Sequence, residues 1–186
     1  DIFQEVKDTL ELANAFNLIG LVYVNWGDHE ESLENFMRSM ELSQDDGNFL
    51  GMSTTYCYIG MVYRKLDDYS RAEDYLNISL ELNKKYGPTR NLVDIYTELG
   101  ALYRDIGRNE EAIQMFEKSL DLARYYNNQR KVAEGLDNIG LVHNDQKEYG
   151  AALSFFDRAL ELRREMGINY GIMLSNINMV RTYISI

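Results

Sequence analysis

The chain has 186 residues, 45% of them hydrophobic, with one proline, one cysteine and a formal net charge of -11. That apolar content is enough for a packed core and excludes disorder, while a single proline leaves little of the turn chemistry an all-β fold needs. One cysteine excludes an intrachain disulfide, no apolar run approaches the ~20 residues that span a bilayer, and clustered Lys and Arg for gripping nucleic acid or anionic lipid are missing.

In chain order, the opening DIFQEV reads as the tail of a helix that precedes the first pair. A helix pair is then expected over 9–26 with 29–46, its first member carrying NLIGLVYVNWGD. Equivalent pairs follow at 48–66 with 69–86, 89–106 with 109–126, and 129–146 with 149–166. They carry CYIGMVYRKLDD, TELGALYRDIGR and DNIGLVHNDQKE in turn. A ninth helix, from Asn169, has Tyr183 at the repeated tyrosine position and Val180 in place of the glycine. The expected organisation is one solenoid over 1–186, with units 9–46, 48–86, 89–126 and 129–166 plus a half unit at 169–186. It is expected to be part of a longer chain, because the apolar last helix lacks a polar capping face.

The repeat follows from helical geometry. Gly20, Gly60, Gly100 and Gly140 are spaced 40 residues apart, and each lies on a face shared with apolar or aromatic neighbours. A mid-helix glycine costs ~1 kcal/mol against alanine, so its recurrence points to close helix packing that offsets the loss. Ala72, Ala112 and Ala152, with Ser32 in the first unit, are the matching small residues of the second helices. The helices are expected to cross with one small surface against the other. Two break points also recur. At the first, Asp28 and Asp68 are suited to N-capping; at the second, Gly47, Gly87, Asn127 and Gly167 suit the left-handed ending of a helix, and Pro88 suits the first turn of the next one.

With its aromatic-x-x-apolar-Gly-x-x-Tyr pattern, followed by Gly or Asp, then Ala, an aromatic and a small residue, the chain resembles the tetratricopeptide repeat family in a forty-residue form. The resemblance implies an all-α, right-handed superhelical solenoid of antiparallel helix pairs whose first helices line a groove that binds peptides or proteins, with no chemistry and no cofactor. By that geometry the polar groove positions are Asn14, Asn17, Asn25, Thr54, Arg64, Lys65, Asp94, Thr97, Arg104, Asp105, Glu134, Asp137, Asn144 and Asp145. Leu21, Val24, Cys57, Met61, Ala101 and Leu141 are the apolar ones. Chaperone-binding members grip a carboxylate with Lys and Asn three before and one after the glycine. Those positions here hold Asn17, Cys57, Thr97 and Asp137, then Leu21, Met61, Ala101 and Leu141, so that clamp is absent. The phrasing IGMVYRKLDDYSRAEDYLNISLEL is similar to repeats that precede the output domains of bacterial signalling proteins.

No residue set points to catalysis or metal binding. His29 and His143 belong to different units, His143 standing at the tyrosine position as a packing substitute. Cys57 has no histidine partner and reads as a small semi-buried residue. Trp26 is expected to pack on the following turn. The functional expectation is a cytoplasmic, non-enzymatic binding module, the regulatory or sensory input of a larger signalling protein, taking a protein or peptide in its groove. Neither nucleic acid nor membrane is an expected partner. A homodimer through the last helix, a cyclase or kinase as the parent enzyme, and a receptor for signalling peptides are the variants.

Overall fold

The computed structural model describes the backbone of residues 2–87 and 89–185, and side chains from residue 9 onward within those limits. The described residues form nine helices and no strand: α1 (Ile2–Trp26), α2 (His29–Asp45), α3 (Phe49–Lys65), α4 (Tyr69–Tyr86), α5 (Asn91–Asp105), α6 (Asn109–Tyr125), α7 (Gln129–Asp145), α8 (Tyr149–Glu165) and α9 (Asn169–Ser185). Contacts gather into two compact units, residues 1–98 and 99–186, with the boundary inside α5.

Local chemistry explains where the helices stop. Residues Gly27, Asp67, Gly107 and Lys147 have positive φ, and so do Gly47, Gly87, Asn127 and Gly167. A left-handed residue after the last helical turn lets the next N–H reach back. Asp68 N donates to Tyr63 O at 2.9 Å, and Asn128 N donates to Ala123 O at 2.8 Å, so carbonyls otherwise left unsatisfied are bonded. The following helix starts at once. Asp28 Oδ1 accepts from Glu31 N at 3.3 Å, Asn48 Oδ1 from Gly51 N at 2.9 Å, and Asp68 Oδ1 from Arg71 N at 3.0 Å.

Two boundaries differ from the sequence expectation. Helix α1 begins at Ile2 and absorbs IFQEV of the opening stretch, because no glycine, proline or asparagine stands between it and Leu10 to end a helix; Asp1 lies outside the described residues. Helix α5 begins at Asn91, two residues late. Gly87 is at φ 120° and ψ 137°, a conformation closed to residues with a Cβ. Asn83 ties the connection down, its Nδ2 donating to Thr89 Oγ1 at 2.9 Å and its Oδ1 accepting from Thr89 N at 3.2 Å. Pro88 lies outside the described residues.

In the first unit α1 packs on α2, α3 on α4, and α2 on α3; in the second, α7 packs on α8, α6 on α7, and α8 on α9. The glycines make the close approach, and at Gly60 the Ala72 carbonyl oxygen is the expected small neighbour, 3.2 Å from where a Cβ would stand, but the nearest partner of each glycine is a large side chain instead. A Cβ added at Gly20 would sit 2.5 Å from Phe36 Cε1, one at Gly60 2.7 Å from Leu76 Cγ, and one at Gly100 or Gly140 2.6 Å from Cε1 of Phe116 or Phe156. Each glycine is a socket for a large buried side chain of the second helix. Ala72, Ala112 and Ala152 are themselves fully buried, leaving room for the backbones to cross.

Candidate functional site

The groove positions fall into three structural groups. Asn14, Asn25, Lys65 and Asp105 are exposed on the first helices of the pairs, and Thr54, Asp94, Thr97 and Glu134 are half-buried there. Thr54 Oγ1 and Thr97 Oγ1 donate to the carbonyls of Leu50 and Val93, one turn back, at 3.1 and 2.8 Å, so each hydroxyl is engaged by its own helix.

A second group spends its polar atoms between repeats. Arg64 of α3 pairs with Glu98 of α5, its Nη2 3.1 Å from Oε2, both side chains being mostly buried. Arg104, near the end of α5, donates from Nε to Asp145 Oδ2 of α7 at 2.7 Å. Asn144 Oδ1 accepts from Thr182 Oγ1 of α9 at 2.9 Å. These side chains brace one first helix against the next, so Arg64 and Arg104 are not spare cations for a ligand.

The third group is a correction. Asn17, Cys57 and Asp137, all three residues before the repeat glycine, are buried and do not face a groove. At that height a first helix is covered by both its own partner and the next unit. Asn17 Nδ2 donates to Thr55 Oγ1 of α3 at 3.1 Å, and Thr55 Oγ1 lies 3.3 Å from Ser39 Oγ of α2. Asp137 Oδ2 accepts from Arg163 Nη1 of α8, which also donates to Ser175 Oγ of α9. Burial pushes the Asp137 carboxyl above the usual carboxylate range, and Arg163 and Ser175 pull it part of the way back.

Nothing in the repeat pattern assigns Arg163 a role, yet one signal marks it. The equivalent residues 40, 80 and 120 earlier are Ala123, Asn83 and Ser43, all small or neutral and all buried. Trp26 also departs from expectation: it is 74% exposed and meets Tyr23 edge-on at 5.6 Å instead of packing on the next turn. His143 stacks on Phe155 at 5.3 Å, and its Nδ1 lies 2.7 Å from Glu148 Oε2, so its ring is used in the fold.

On α9, Met173, Ile177 and Val180 are 50%, 38% and 55% exposed and line a shallow cavity of about 460 Å³. No described helix is long and apolar enough to cross a membrane.

The Tetratricopeptide repeat family profile matches residues 51–124 and 91–165, and a second profile of the same repeat matches 13–46. The chain belongs to the tetratricopeptide repeat family. No curated protein sequence matches it. Among solved structures, this tetratricopeptide repeat chain is similar to a signal transduction ATPase with numerous domains from Pyrococcus horikoshii, which carries a tetratricopeptide repeat sensor. The TM-score is 0.81 at 18% identity, over 93% of this chain and 26% of that one. It is similar to a Rap protein complexed with Competence and Sporulation Factor, with TM-score 0.80 at 15% identity, over 90% and 47%. BtubC (BKLC) from P. vanneervenii gives TM-score 0.68 at 22% identity, over 84% and 65%. The chain thus spans less than two thirds of each of these proteins, and at such identities the likeness is one of fold. Tetratricopeptide repeats are protein-interaction scaffolds, and the arrangement of helices here is an all-α repeat of that kind.

Proposed function

We propose that this chain is a non-catalytic, cytoplasmic binding module that takes a protein or peptide along the first helices of its repeats, as the regulatory input of a larger signalling protein. The observation that carries this reading is the division of labour among the polar residues. Arg64, Arg104 and Asn144 brace the repeats, whereas Asn14, Asn25 and Lys65 stand exposed on the first helices. Exposed amides and alternating charges beside half-buried Leu21 and Met61 suit a peptide with both polar and apolar side chains. A sensor role in the Pyrococcus protein and a bound factor in the Rap complex support the signalling context. The net charge of -11 favours basic or mixed partners over nucleic acid.

The test is selection of peptides from a displayed library on the intact chain, followed by affinities for a variant carrying Asn14→Ala, Asn25→Ala and Lys65→Glu. A loss of tenfold or more, with helicity unchanged, is expected for contacts at the centre of a binding face. Failure to enrich any peptide, or unchanged affinity in the variant, overturns the reading. Self-association is a second reading, carried by the exposed Met173, Ile177 and Val180 of α9. Light scattering over a concentration series checks it, and a monomer at every concentration rejects it.

A further inference from the structure

At the foot of α9, Arg130 and Glu134 of α7, Arg163 and Met166 at the end of α8, Ile168 of the turn and Leu174 of α9 surround an open cavity of about 460 Å³. Its most unusual wall is Arg163, only 7% exposed. Both protons of Nη1 are used, one on Asp137 Oδ2 and one on Ser175 Oγ. Nε and Nη2 have no acceptor among the described residues and are not closed off from the cavity, so their three N–H donors are open to whatever fills it. Gly171 makes this possible: a Cβ there would lie 2.7 Å from Arg163 Cδ and 2.8 Å from Nε, so any larger residue would displace the side chain. The cavity is where an acceptor can reach those donors.

The charge around the cavity limits what that acceptor is. Arg130, Lys131 and Arg163 are balanced by Glu134, whose Oε2 lies 3.0 Å from Lys131 Nζ, and by Asp137, leaving one positive charge in excess. One excess charge matches a monoanion better than a phosphate dianion. The Nε and Nη2 edge of an arginine is a planar fork that matches the two oxygens of a carboxylate. Met166, Ile168 and Leu174 offer apolar surface beside that fork, and Glu134 can accept a backbone N–H.

Building on the peptide-binding reading above, we propose that this cavity holds a carboxylate of a peptide partner, side-on against Arg163 Nε and Nη2, with the neighbouring apolar side chain against Met166, Ile168 and Leu174. The same position in the other units holds Ser43, Asn83 and Ala123, so the site is particular to the fourth unit. The carboxylate comes either from a chain terminus or from an Asp or Glu side chain.

The Arg163 Nε–H resonance of the full chain reports on the site directly. Four probes are added at millimolar concentration: acetyl-Gly-Gly-Leu with a free terminus, its C-terminal amide, acetyl-Gly-Glu-Leu-amide, and inorganic phosphate. A saturable shift with the free acid alone assigns a terminal carboxylate, and one with the Glu peptide assigns a side chain; either supports the proposal. Arg163→Lys, which keeps the charge and loses the fork, and Ile168→Trp, which fills the cavity without touching the ion pair, should each weaken binding about tenfold. No shift with either carboxylate, an equal shift with the Gly-Gly-Leu amide, or a shift with phosphate alone overturns it. Library-selected peptides that bind while the Arg163 resonance stays still would remove this site and leave the binding-module reading standing.

Discussion

The two units solve one packing problem at equivalent positions with different chemistry. In the first, Asn17 of α1 meets Thr55 of α3 and Ser39 of α2, with Ser43 buried nearby, a neutral cluster in which Asn17 Nδ2 reaches Thr55 Oγ1 at 3.1 Å. Exactly matched positions need not be matched in polarity: 120 residues on, Asp137, Ser175, Ala159 and Arg163 stand in their places, and the cluster is an ion pair. The backbone is shared, so the contrast isolates the side chains. A neutral hydrogen-bonded set loses little on burial, whereas a buried charge must find its countercharge. Arg163 therefore depends on Asp137, and Asn17 on nothing charged at all.

The sharpest way to break this contrast is Arg163→Ala. It strands the Asp137 carboxylate and should cost about 3–5 kcal/mol in urea unfolding. Asp137→Leu combined with Arg163→Met, which removes both charges at similar volume, should return stability to wild type or above it. If the single variant unfolds no more easily than wild type, the ion pair is not what holds α7, α8 and α9 at this point.

A smaller loss is expected in the first unit. Asn17→Ala leaves Thr55 with Ser39 and with the Gly51 carbonyl, which its hydroxyl meets at 3.1 Å. About 1–2 kcal/mol should be lost by the same measurement. A loss as large as that of Arg163→Ala would erase the distinction between the two clusters.

Turns give a gain of comparable size to the smaller loss. Lys147 sits at φ 64° where two other units have Gly27 and Gly107, so Lys147→Gly should stabilise by up to about 1 kcal/mol, read from the denaturation midpoint. No change would mean that the left-handed conformation carries no strain there.

The last prediction concerns titration. Asp137 is raised chiefly by burial, so the folded chain holds that proton more tightly than the unfolded one. Its contribution to stability is present below the ordinary carboxylate pKa and is lost as pH rises through the raised value. Asp68, an N-cap held down by the Arg71 side chain and backbone N–H, has the opposite sign: its contribution is present above the ordinary pKa and is lost as pH falls through the lowered one. Carboxyl carbon NMR should place the Asp137 midpoint above that of Asp68, and a reversed order would show that Arg163 outweighs burial.

Much of the fold was legible in the chain because its signals are local or periodic. The breaks at residues 27, 67, 107 and 147, the capping aspartates and the close approach at Gly20, Gly60, Gly100 and Gly140 each depend on a few neighbours or on a strict spacing, whereas the large side chains that fill those glycine sockets were not read from the chain. The site was less legible. Which polar residue of a first helix meets solvent and which meets the next unit depends on how far the neighbouring helices overlap it, and that length is not written in any one repeat.

The sequence by itself determined the helix pairs, their punctuation and their family, since helix formation and left-handed turns act over short distances along the chain and the glycines recur at a fixed spacing. Only the tertiary structure decided that Asn17 and Asp137 are buried, that Arg64 and Arg104 are already paired with Glu98 and Asp145, and that Arg163 keeps three donors open to a cavity. Those outcomes depend on partners 12 to 41 residues away along the chain, and a charge takes its function from whichever partner the fold brings within reach.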